Sequence, residues 1–259
     1  MNKIVLASCL AFAVTILLIL LAPKYNPSAQ ALQVIPSATS RSTPATRQAY
    51  NVAMAEWSSG HQYEAEALLA YDVHIYPSDQ RLEFFHAACT RSRWDITGAR
   101  PLLQEVVHLQ AGTADALCAT FVSNIDLGSD ITDNFNALTT LAKNNRTDLL
   151  ILWMLAVECR QLERDYPGTG LAASAANFGI QCYSVLLSRT NGVGPSLVHQ
   201  TYGNLLDDMG HTSSAVVQRR LAAAQEPATW SCPPLIQDLD TLGLKQEAAQ
   251  DRINYSPFL

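Results

Sequence analysis

The sequence predicts an all-α fold: a stack of about six short helix pairs, preceded by one N-terminal apolar helix. Two observations carry this. Gly60 and Gly210 sit in one shared frame, with a tiny residue seven positions before each (Ala53, Gly203), an alanine five after (Ala65, Ala215) and a proline seventeen after (Pro77, Pro227). Small residues let two helix axes approach, glycine turns the chain between them, and proline cannot continue the second helix. The frame also recurs at the step of about 34 residues expected of such units, and a unit of this size cannot bury its apolar face alone.

In chain order, the first pair covers 46–79, opening near Ala45-Thr46 with Thr46 as its cap. One step on from Gly60 lands on Trp94, where Ala87 and Ala99 hold the two helix-contact positions. The next step reaches Gly128 in the loop Asp126-Leu127-Gly128-Ser129-Asp130, with Ala137 as the contact residue of a second helix offset by a turn. A fourth pair is expected over 147–163 and 170–188, joined by the lengthened loop Arg164–Gly168. The fifth covers 196–229. Gly243 and Ala248 mark a truncated sixth, so the repeat body spans 46–253 and leaves a tail at 254–259.

These residues resemble the tetratricopeptide repeat (TPR) family. The best copy carries Tyr202-Gly203, Leu206, Gly210, Ala215, Ala222 and Pro227, and the copy at 46–79 carries Glu64-Ala65 and Pro77-Ser78-Asp79. His199 and Arg219 stand where that family has large aromatics, and 113–188 matches in outline only. The resemblance implies a right-handed superhelix whose inner, concave wall is lined by the first helix of each pair, where a protein or peptide segment lies. Its inward positions fall on Arg47, Tyr50, Met54 and Trp57, then Arg81, Phe84 and Arg91, then Trp153 and Arg160, then Gln200, Asn204 and Asp207. The N-terminal half of this groove is aromatic with arginines, a composition enriched at binding hot spots; the other end is polar and acidic. In the competing reading, Trp57, Phe84 and Trp153 pack between neighbouring pairs. The arginine–asparagine–lysine set that clamps a peptide carboxylate in some family members is not evident at matching positions.

Composition agrees with a helix-on-helix protein. Hydrophobic residues make up 48% of the 259 and charged residues 15%, against about 25% charged in soluble domains generally. A net charge of −6, with no basic run, gives no reason to expect a nucleic-acid partner.

From Ile4 to Ala22 the chain runs without a charge, about the length that crosses a bilayer. Segment 1–22 is therefore expected to be a single-pass anchor, and the slight charge bias places the body outside the cytoplasm. A cleaved signal using Ala29-Gln30-Ala31 is the alternative, with a periplasmic or secreted body. Leu6-Ala7-Ser8-Cys9 matches a lipidation box, but too little apolar chain precedes it. Segment 23–45, with Pro23, Pro27, Pro36 and Pro44 among Ser, Thr, Ala and Gln, reads as an extended linker.

Chemistry-bearing motifs are sparse. Cys89, Cys118, Cys159, Cys182 and Cys232 have no metal spacing and read as small core residues, with Cys159–Cys182 a candidate disulfide in an oxidising compartment. Gly168–Ala173 fits a loose dinucleotide pattern but follows Tyr166-Pro167 rather than a strand, so it reads as a loop opening a helix. The histidines never fall within one helical turn of each other, and Asn145-Arg146-Thr147 is a sequon by pattern only. No catalytic set, metal or cofactor is expected. The expected function is a membrane-tethered or exported scaffold for protein–protein interaction, in a setting such as envelope assembly, secretion or pilus biogenesis. The alternative is an exported enzyme or small-ligand binder with its site in the irregular 113–195 region, including the loop Arg189–Pro195.

Overall fold

A computed structural model describes residues 42–93, 95–190, 195–227 and 231–259. The apolar segment 4–22, the Leu6–Cys9 box, the Ala29–Ala31 site, the linker up to residue 41, Trp94 and the loop positions 191–194 lie outside the described residues. Twelve α-helices occur among those described: α1 (Pro44–Ser58), α2 (Gln62–Ile75), α3 (Gln80–Ser92), α4 (Ile96–Leu109), α5 (Ala114–Asp126), α6 (Ile131–Asn144), α7 (Leu149–Asp165), α8 (Gly170–Arg189), α9 (Ser196–Asp208), α10 (Thr212–Gln225), α11 (Cys232–Thr241) and α12 (Lys245–Asn254). Consecutive helices pack as pairs and the pairs stack in chain order. The fold is an all-α helix-pair solenoid, as expected.

One turn builds four of the six pairs. At Gly60 (φ 94°) and Gly210 (φ 76°) the backbone is left-handed, a region that costs glycine nothing. The following His61 and His211 amides donate back to the Glu56 and Leu206 carbonyls, and the glycine amides donate to Trp57 and Asp207. This double closure ends a helix while satisfying its last carbonyls. Gly128 and Gly243 close α5 and α11 with the same two bonds. The small residues of the frame do what their size permits: Ala53, Ala65, Gly203 and Ala215 are all buried. A Cβ on Gly203 would stand 2.8 Å from Arg219 Cγ and 3.4 Å from the Ala215 carbonyl oxygen.

Side-chain caps open the first helix of pairs one to four. Thr43, Asp79, Thr113 and Asp148 each accept backbone N–H groups of α1, α3, α5 and α7. Thr43, not Thr46, is thus the cap of α1, which begins at Pro44; Thr46 is buried in its first turn. In the third pair Phe135 and Leu138 make the close contact expected of Ala137, which stays half-buried. The fourth pair is shifted: α7 continues through Asp165, and Thr169 caps α8. The expected C-terminal tail instead forms a 3₁₀ turn, Ser256–Phe258, with Phe258 and Tyr255 against a small core of α10–α12.

The fourth pair is the centre. Its first helix, α7, is buried nearly all round from Leu150 to Leu162, as a helix surrounded by others must be. It touches α8, α6, α5, α3 and α9. Its partner α8 is long and apolar enough to cross a bilayer by length and composition, and its buried face includes Ala175, Ala176, Gly179 and Cys182. The cysteines at 89, 118, 159, 182 and 232 are buried free thiols, Cys159 and Cys182 included.

Candidate functional site

Most of the side chains expected along an inner wall do not line an open groove. The array curls until its first pair meets its fourth. Trp57 of α1 packs on Trp153 of α7 with ring centroids 4.8 Å apart, and Phe85 meets Trp57 edge-on at 6.5 Å. Trp57, Phe84, Arg91, Trp153 and Gln200 are fully or almost fully buried. Their assignment as groove-lining side chains open to a partner is therefore corrected for this closed form, because neighbouring pairs fill the space a segment would need. Tyr50, Met54, Arg81, Arg160, Asn204 and Asp207 are half-buried, and only Arg47 of the twelve is exposed.

Two ionic rungs tie α3, α5 and α7 together. At their N-terminal ends Arg81 donates to Asp115 Oδ1 at 2.5 Å and to Asp148 Oδ1 at 2.6 Å. Its guanidinium lies over the Tyr50 and Phe84 rings. Asp148 does double duty, also capping α7 through the Leu150 and Ile151 amides. At the C-terminal ends Arg91 pairs with Glu158 through Nε, and its Nη2 donates to Asp126 Oδ1 and Gln161 Oε1, both at 2.7 Å. Between the rungs the same helices meet through apolar residues including Phe85, Ala88, Cys118, Val122, Ile151 and Met154.

Each rung sets one arginine against two carboxylates. Burial pushes the Asp115 carboxyl up to about 6, with Arg81 opposing and Asp148 adding to the rise. Burial likewise raises Glu158 and Asp126, each opposed by Arg91. Burial works against the Arg81 charge, yet Asp115 and Asp148 hold its pKa above the ordinary value.

The acidic end is likewise paired within the chain. Arg160 pairs with Glu163 and, at 2.6 Å, with Asp208. Arg219, one of the two departures from the family pattern, pairs with Asp238 of the sixth pair and donates to Asn204 Oδ1 at 3.0 Å. His199, the other, shares a 2.8 Å hydrogen bond with Gln218. Both side chains make polar ties inside the fifth pair or onto the sixth.

Sequence reasoning missed Asp115, Asp126, Asp148 and Glu158. Their signal was present: each arginine meets opposite charge near one and two repeat steps, at separations of 34 and 67 residues for Arg81 and 35 and 67 for Arg91. Two shallow clefts of about 430 Å³ lie at the array's ends, one along α1 by Arg47, Asn51 and Val52, the other by Ile236, Asp240 and Leu259. Among the described residues no group of three or more His, Cys, Asp or Glu is arranged to hold a metal ion.

No family model and no curated protein matches the chain. Among solved structures it is similar to a thermophilic TPR protein of Thermus thermophilus, at 14% identity and TM-score 0.48, covering 68% of this chain and 89% of that one. It is also similar to the TPR domain of P58(IPK), at 11% identity and TM-score 0.32 over 81% and 59% of the two chains. A tetratricopeptide repeat protein of Parabacteroides merdae gives 12% identity and TM-score 0.30 over 82% and 92%.

Proposed function

We propose that this chain is a TPR-like scaffold that binds a protein partner. The observation that supports this reading most is where its apolar side chains remain exposed. Along the second helix of the first pair, Tyr71 (65% exposed) and Ile75 (47%) stand one turn apart, and Tyr63 (46%) lies two turns earlier. Contiguous exposed apolar side chains mark interaction surfaces. The inward arginines and carboxylates, by contrast, are engaged with one another.

The apolar stretch 4–22 would tether this scaffold as a single-pass anchor with the body outside the cytoplasm, in an envelope-assembly, secretion or pilus-biogenesis setting. Affinity purification from native membranes tests the scaffold reading. Wild type retains specific partners, and Tyr71→Glu with Ile75→Lys loses them while keeping its melting temperature. Partners retained equally by that variant would move recognition elsewhere; none in either would sink the reading. Protease added to intact cells with an opened outer layer should degrade the body, and protection would overturn the orientation.

A further inference from the structure

The fifth pair differs from the first four in how it begins. Helix α9 follows Pro195, and no side chain of its own N-cap position satisfies its first amides. The cap arrives from the other end of the chain. Gln62 Oε1, at the start of α2, accepts the Leu197 N–H at 3.3 Å across 135 residues. Gln62 Nε2 donates to Glu226 Oε2 at 3.2 Å, and Ser196 Oγ donates to the same oxygen at 2.5 Å. The Gln225 side chain also lies against Gly60. The Glu226 charge beside the start of α9 gains further from that helix's dipole. The ends of α2, α9 and α10 thus meet in a polar clasp joining pair one to pair five.

The contact that the clasp holds shut has a cost of its own. Trp57 Nε1 is buried where the first pair meets the fourth and makes no hydrogen bond among the described residues. Water entering there would satisfy it. Opposing this are the Trp57–Trp153 contact and the clasp itself. Opening therefore exchanges ring packing and the clasp's hydrogen bonds for hydration of the same polar groups, terms of opposite sign.

We propose that the Gln62–Ser196–Glu226 clasp is a gate: its release lets the first pair swing away from the fourth and fifth, uncovering the wall that carries Trp57 and Trp153. The scaffold reading supplies a use for the motion, since the uncovered wall is where a segment would lie, but the motion is a property of the chain alone.

The test compares three forms of the full chain by amide hydrogen exchange with mass spectrometry. These are wild type, Gln62→Ala with Glu226→Ala, and Gln62→Cys with Leu197→Cys oxidised to a cross-link verified by peptide mapping. The alanine pair should speed exchange about tenfold in α1 and in the α7 segment around Trp153, with helix content and cooperative melting kept. The cross-linked form should slow the same segments below wild type. Exchange in α1 and α7 that the cross-link leaves unchanged overturns the gate, as does acceleration confined to the start of α9 in the alanine pair. Either result leaves the copurification test of the scaffold standing on its own.

Discussion

At the N-terminal ends of α3, α5 and α7, Arg81 binds Asp115 and Asp148 within reach of solvent, with side chains 22%, 13% and 25% exposed. About 15 Å along the same helices, Arg91 binds Asp126 and Glu158 almost wholly out of water, at 1%, 3% and 0%. The residue types and stoichiometry are alike. The surroundings are not. The first rung keeps some hydration, and its carboxylates lie at helix N-termini, where the dipole favours negative charge. The second has neither advantage, since Asp126 and Glu158 sit in the C-terminal halves of α5 and α7. Closely similar ion pairs thus act as a wetted tie at one end and as a costly locking element at the other.

The widest gap between the rungs should appear on removing each arginine. Arg91→Ala leaves two buried carboxylates without a counter-charge and should cost about 3–5 kcal/mol in urea unfolding. A loss under about 1 kcal/mol would mean that water already reaches Glu158. Replacing the whole second rung by apolar groups (Arg91→Met, Asp126→Leu, Glu158→Leu) should be neutral or stabilising by about 1–4 kcal/mol. If it is as damaging as Arg91→Ala, the rung contributes net stability and the contrast between the two rungs fails. Arg81→Ala should cost only about 1 kcal/mol, because solvent can take over from the arginine.

The smallest effect is in pH dependence. The Asp115 carboxyl rises from 3.8 to about 6 on folding, so its protonated form favours the folded state. Its contribution is complete below pH 3.8 and is lost as pH climbs through about 6. Asp126 and Glu158 are raised too and act in the same sense. Melting temperature should therefore fall modestly between about pH 4 and 6, and Asp115→Asn should flatten part of that slope. An unchanged slope would place the titration elsewhere.

Much of the architecture was legible because its causes are local. The frames at Gly60 and Gly210 encode a left-handed turn, a close helix contact and a stop within one unit. Of the residues expected at inward positions, Trp57 and Trp153 pack on each other, and Arg81 and Arg91 tie pairs two, three and four together. Their accessibility was misread, since what fills the space before them comes from one to three pairs away. Glu158 offered a clue as a carboxylate in the apolar run Leu149–Cys159, and the charge reversal from Arg81 to Asp115 and Asp148 offered another. The clasp offered none, because Gln62 and Glu226 are 164 residues apart and neither sits in a recognisable pattern.

By itself, then, the chain's sequence determined helix pairs and the turns that join them. Hydrogen bonding and steric limits acting over a few residues suffice for that. Whether the inward faces meet a partner or each other was decided only by the tertiary structure. That outcome weighs the desolvation of six charges and the packing of two tryptophans against hydration of the open wall, and every term in it joins segments that the linear order keeps far apart.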